Sequence, residues 1–183
     1  MKSMIKNSAL FCAVFSLLTL SACKDEKADI AAKNTAQMDL SAEVSTKAEA
    51  KNEATVRAIL AAMDAGDAAK FDQYCAADYQ IYNPFLPQPG NLEVFKGLMQ
   101  GQKVSFPDVK HEVVQMFSKG NMVCVRGTFS GTNSGSMQGN PPTGNKVSLP
   151  FIFTDEFNAE GKLKVRHVQF DTGAFNAQLM GGK

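Results

Sequence analysis

From Val109 to Asp171 apolar residues recur at every second position through four consecutive runs, and this alternation constrains the fold more than any other feature. V-K-H-E-V-V-Q-M-F, M-V-C-V-R-G-T-F-S-G-T, K-V-S-L-P-F-I-F-T-D-E-F and K-L-K-V-R-H-V-Q-F-D each read as a strand with one buried face. S-K-G-N after the first run and Asn158 to Gly161 after the third are turn sequences. Four half-apolar strands need something to cover their shared face.

The chain before them supplies the cover. From Glu53 the period is helical, with Val56, Ile59, Leu60 and Met63 in phase and Gly66 as the stop. Asp67 opens a second short helix, A-A-K-F-D-Q-Y-C-A, and D-Y-Q-I-Y follows as a short strand. Pro84, Pro87 and Pro89 stiffen the next loop. Asn91 is placed to cap a helix over N-L-E-V-F-K-G-L-M-Q-G, and A-F-N-A-Q-L-M closes the chain as a last helix. Helices followed by a run of antiparallel strands predict an α+β fold, with the helices packed on one face of a curled sheet.

The stretch F-S-G-T-N-S-G-S-M-Q-G-N-P-P-T-G-N-K-V, Phe129 to Val147, is rich enough in Gly and Pro to pass for a linker. It lies between two strands that need each other as neighbours, so it is a connection inside one domain. Gly139 to Gly144 has P-loop glycine spacing, but Lys146 comes one position late and a strand follows instead of a helix, so no phosphate cradle forms.

The first 23 residues set an address. Lys2 and Lys6 precede an apolar run from Ala9 to Leu20, too short for a spanning helix of ~20 residues, and the run ends in Leu20-Ser21-Ala22-Cys23. This looks like a bacterial lipobox. It predicts a signal peptide over 1–22, lipidation at Cys23, a lipidated flexible tether over 23–50, and a folded domain over 51–183. Residues 24–50 are alanine-rich and nearly free of large apolar side chains, hence the tether. Lys24 after the cysteine resembles outer-membrane sorting, so the expected location is the periplasmic side of the outer membrane of a Gram-negative bacterium.

Two of the 19 basic residues lie in the leader, which leaves 17 against 18 acidic ones. A nucleic-acid footprint needs a basic excess, so no nucleic-acid partner is expected. Cys75 and Cys124 remain in a disulfide-permissive compartment; they could pair, but read better as small apolar side chains. With only two histidines and no ligand spacing among the cysteines, no metal site is expected.

The hairpin residues S-G-T-N-S-G-S-M-Q-G-N-P-P-T-G-N-K-V also resemble the signature of the SnoaL-like polyketide-cyclase, or ester-cyclase, family of the nuclear transport factor 2-like superfamily. Phe106-Pro107-Asp108, Gly120-Asn121, V-x-R-G-T-F with Arg126, and Gly161-Lys162-Leu163 extend it from about Glu53 to Met180. The resemblance implies a cone: a strongly bent antiparallel sheet around a long helix, with an apolar pocket at the open end. It also implies cofactor-free chemistry in which a pocket aspartate deprotonates a carbon acid.

Three positions depart from that pattern. Val168 stands where an acid is expected, Tyr82-Asn83-Pro84 replaces a histidine-led triplet, and Asn133 replaces a frequent histidine. The readings at this level are therefore two. One is an altered acid–base enzyme with Asp171 as base and Arg126 and Tyr82 as polarising or orienting groups; for Arg126, a salt bridge to Asp155, Glu156 or Asp171 is the alternative. The other is a non-catalytic module that binds an apolar ligand or dimerises through its sheet. The expected pocket residues are Tyr79, Asn83, Phe151, Phe153, Arg166, Val168 and Phe170. By strand parity His167 should face outward, and His111 reads as structural.

Overall fold

The computed structural model describes residues 22–181. The signal-peptide reading falls mostly outside them, as does the Cys23 side chain. The chain divides into two compact units, Met1–Val44 and Ser45–Lys183. The described part of the first is the opening of helix α1 (Ala22–Ala65), whose residues 30–44 are all exposed. The stretch read as a tether is helical. Ala, Glu and Lys favour helix intrinsically, and no apolar stripe is needed for that.

In the second unit, α1 buries Val56, Ile59, Leu60 and Met63 in the predicted phase. Packing begins before residue 51, because the Glu49 carboxylate accepts the Gly120 N–H at 2.7 Å. Gly66 ends the helix at φ 73°, a left-handed conformation that suits glycine, and Asp67 N–H donates back to the Ala62 carbonyl at 2.9 Å. A 3-10 turn (Ala68–Lys70) and α2 (Phe71–Tyr74) lead into β1 (Cys75–Tyr82). Helix α3 (Leu92–Ser105) follows, capped as predicted by Asn91, which accepts from Val94 N–H at 3.0 Å. It runs one turn beyond Gly101, until Pro107 disfavours its continuation.

Strands β2 (Lys110–Lys119), β3 (Met122–Thr132), β4 (Lys146–Phe157) and β5 (Leu163–Phe170) form the expected antiparallel meander, closed by α4 (Thr172–Leu179). The sheet order is β1-β5-β4-β3-β2. One pair departs from an all-antiparallel sheet: β1 lies parallel to β5. β1 and β5 are separated in the chain by α3 and all of β2–β4, so no hairpin joins them and parallel pairing is possible. Register shifts in β1, at Val113/Gln115 of β2 and at Glu156/Phe157 of β4 bend the strands.

The inner face carries Val123, Val125 and Phe129 of β3 with Val147, Leu149, Phe151, Phe153 and Phe157 of β4. Parity then places Arg126 outward, where it is exposed, so it does not reach the inner face. On β1, Tyr79 and Ile81 are buried and Tyr82 is exposed. Cys75 and Cys124 are both free.

The glycine-rich hairpin is clamped by Asn133, 1% exposed. Its amide nitrogen donates to the carbonyls of Ser105 (3.1 Å) and Gly135 (3.0 Å), and its oxygen accepts from Thr143 N–H (2.8 Å) and Oγ1 (3.1 Å). Gly135 packs so tightly on α3 that a Cβ there would lie 1.8 Å from the Val104 carbonyl oxygen. This ties the hairpin to the end of α3 and brings Ser136 to Gln138 over the inner face.

Candidate functional site

Between α3, the hairpin and the sheet's inner face lies a cavity of about 470 Å³, within the range of small-molecule sites. Its walls are apolar: Leu60 and Met63 from α1, Phe95, Leu98 and Met99 from α3, and Phe129, Leu149, Phe151 and Phe153 from the sheet. Phe85, Phe106, Phe170 and Phe175 pack edge to face around one end. Phe151 and Phe153 stack at 5.6 Å and 5°, a flat aromatic wall with a polar group at each end.

At one end of that wall is His111, whose ring meets Phe151 edge-on at 5.9 Å. Its Nδ1 lies 2.6 Å from Asp64 Oδ1, and its backbone N–H donates to the same carboxylate at 3.1 Å. A carboxylate only accepts, so Nδ1 carries a proton, and in the neutral imidazole the lone pair is on Nε2. The ring is 6% exposed and lines the cavity. Asp64 is the last polar residue of α1, and Lys103 Nζ fixes that helix end by donating to the Asp64 backbone carbonyl at 2.6 Å. Two distant segments are thereby pinned to one imidazole orientation.

At the other end Arg166 places its guanidinium carbon 4.3 Å from the centre of the Phe153 ring. Its Nε and Nη2 donate in a fork to Asp155 Oδ1 and Oδ2 at 2.7 and 2.6 Å. The two residues face each other directly across β4 and β5 and are 1% and 0% exposed. Burial alone would lower the Arg166 pKa, but the Asp155 charge and hydrogen bonds hold it above the ordinary arginine value. Burial raises the Asp155 carboxyl, against the pull of Arg166. Nη1 contacts Met63 Sδ at 3.7 Å. Beside the pair, the Tyr79 hydroxyl is buried without a partner, and burial drives its pKa upward, so it stays a neutral donor.

Of the expected pocket residues, Asn83, Phe151, Phe153, Arg166, Val168 and Phe170 line the cavity; Tyr79 packs behind it against Phe95. The expected catalytic trio is not brought together. Asp171 is exposed at the end of β5, and its carboxylate caps α4 by accepting from Ala174 N–H at 2.9 Å. Arg126 lies on the opposite face of the sheet. Tyr82 stacks outside on His167, at 4.1 Å and 8°; His167 faces outward, as parity predicts. Asn133, one of the three departures, does not line the cavity.

Asp64 carries no signal in the sequence, while His111 reads there as structural and Asp155 only as a partner for Arg126; the structure pairs His111 with Asp64 and Asp155 with Arg166. Two of them carry a parity signal: His111 is in phase with Val109 and Val113, and Asp155 with Phe151, Phe153 and Phe157. Among the described residues no cluster of three or more His, Cys, Asp or Glu is placed to hold a metal ion.

A helix-covered, unclosed sheet with an apolar cavity and a few inward polar groups defines a nuclear transport factor 2-like small-domain fold. Residues 53–179 match the model of the SnoaL-like polyketide cyclase family, and the chain belongs to that family. Solved structures share the fold. IdmH of Streptomyces antibioticus is 24% identical with a TM-score of 0.60, covering 70% of this chain and 97% of its own. A SnoaL-like polyketide cyclase of Agrobacterium tumefaciens is 16% identical at 0.58, covering 70% and 97%. An LEH-like epoxide hydrolase of Mycobacterium tuberculosis is 14% identical at 0.58, covering 73% and 92%. No curated protein sequence matches the chain significantly.

Proposed function

We propose that the domain is a cofactor-free acid–base enzyme for an apolar small molecule, with His111 as the base. The observation that carries this reading is the Asp64–His111 pair on the wall of an otherwise apolar cavity. Nε2 takes a proton from a carbon next to a carbonyl, the imidazolium is held by Asp64, and the proton is returned to the rearranged product. Arg166, forked to Asp155 at the other end of the phenylalanine wall, takes no part in the proton transfer. Such a base contributes about 10²–10⁴-fold.

The test is deuterium incorporation. A panel of β-keto esters is incubated with the protein in D₂O, and exchange at the acidic carbon is followed by mass spectrometry. His111→Gln should reduce exchange about 100-fold or more, while Asp171→Asn leaves it unchanged. Equal exchange by the His111 variant would discard the assignment.

The second reading, a dimeric envelope module, draws support from the outer sheet face, where Val114, Phe117, Met122 and Ile152 are exposed. Sedimentation velocity of the wild type against Phe117→Lys decides it: a monomer in both cases removes the dimer. For either reading we infer membrane attachment through a lipid on Cys23, facing the periplasm. Labelling with a fatty-acid analogue should be lost in Cys23→Ala, and retained label would refute it.

A further inference from the structure

Among the described residues, one buried side-chain acceptor of the cavity lining is left without a hydrogen-bond partner. Gln102 lines the cavity from α3, and its side-chain oxygen Oε1 is shielded from solvent without a hydrogen-bond donor. Buried acceptors are nearly always paired, so this one calls for a partner. Donors elsewhere on the α3 end and the hairpin are spent on other groups, and the Tyr79 hydroxyl, the other unpartnered buried group, packs behind the cavity. Ser105, one turn further along α3, directs its hydroxyl to the carbonyls of Gly101 (2.9 Å) and Ser136 (3.0 Å). The Asn133 amide nitrogen is spent on the carbonyls of Ser105 and Gly135, and His111 Nδ1 on Asp64.

We propose that Gln102 is a specificity-determining residue, selecting ligands that present an O–H or N–H donor to its oxygen. The inference rests on reading the cavity as the ligand site and deepens it. A bound molecule whose matching atom is a hydroxyl pairs the orphan acceptor; the methyl ether of the same molecule leaves it unpaired and dry. Sites built around a hydrogen-bonding group reject analogues lacking that group far more strongly than apolar pockets reject a change in size. His111 Nε2, the base of the proposed chemistry, lines the same cavity, so a ligand with two donors can engage both groups. The stacked Phe151–Phe153 wall favours a flat one.

The experiment compares 1-naphthol with 1-methoxynaphthalene on the full-length protein. Binding is read from the methyl NMR signals of Met63, Met99 and Met137, which line the cavity. For the wild type, naphthol should bind about tenfold more tightly, the worth of one neutral hydrogen bond against an unpaired buried acceptor. Gln102→Met keeps the side-chain length without the acceptor, and should bring the two affinities within about twofold by losing naphthol affinity. The methionine signals of the free variant report that it is folded, and Gln102→Leu repeats the test with a second apolar side chain. Equal affinities in the wild type, or a preference that survives in both variants, overturns the role of Gln102 and leaves His111 untouched. If neither compound moves the methionine signals, this inference falls together with the small-molecule reading. If naphthol is preferred but His111→Gln retains deuterium exchange, only the base assignment falls.

Discussion

The two acid–base pairs at the ends of the phenylalanine wall are built from similar parts and do opposite things. Asp155–Arg166 is fully desolvated, doubly hydrogen-bonded and covered by Phe153 and Phe95. Asp64–His111 keeps a partly exposed carboxylate and spends only one ring nitrogen. The first is a fixed charge, since an ion pair with no water around it cannot exchange its proton without stranding a buried ion. The second leaves Nε2 outside the pair while Asp64 orients the ring, which is what the proposed base chemistry requires. A polar group inside a core is therefore judged by what it has left over, not by its burial.

The sharpest way to break this contrast is to halve the buried pair. Arg166→Met leaves Asp155 without a partner and should cost about 3–5 kcal/mol of stability, read from urea unfolding. Adding Asp155→Leu should recover most of that loss; a double variant as unstable as the single one would show that the pair is not a closed unit. Next comes Asn133→Ala, which removes all four side-chain hydrogen bonds of the hairpin clamp and should cost about 2 kcal/mol. Its loss should loosen the Ser136–Gln138 lip, seen as faster amide exchange there, but leave the His111 pair in place.

Asp64→Asn should cost less than about 1 kcal/mol, because the amide oxygen can still accept from Nδ1, yet it should lower deuterium exchange about 100-fold by withdrawing the charge that supports the imidazolium. High stability cost without proton chemistry at one pair, and the reverse at the other, is the expected pattern. Asp171→Ala should cost about 1 kcal/mol, the worth of an N-cap, with exchange intact. The smallest effect is chemical. Burial pushes the Cys75 thiol up to about 12, so alkylation at pH 8, mapped by peptide mass spectrometry, should mark the half-exposed Cys124 well before Cys75.

Much of the scaffold was legible because alternation and helical spacing are local. The four long strands, the Asn91 cap, the Gly66 stop and the inward set Phe151, Phe153, Arg166, Val168 and Phe170 follow from counting in twos and threes. For Arg126 the same counting already points away from the cavity, because Val125 and Gly127 on either side of it are buried. Asp171 was not decided by counting. A carboxylate at the end of a strand can face a pocket or cap the next helix, and only the path of the backbone into α4 chooses.

The amino-acid order alone determined the fold class, the hairpin as an internal connection and which face of each strand is apolar, because these depend on residues a few positions apart. The pairing of Asp64 with His111, of Asp155 with Arg166 and the isolation of Gln102 Oε1 were decided by the tertiary structure. Each depends on which distant segments meet and which donors are already spent, and a periodicity carries no record of either.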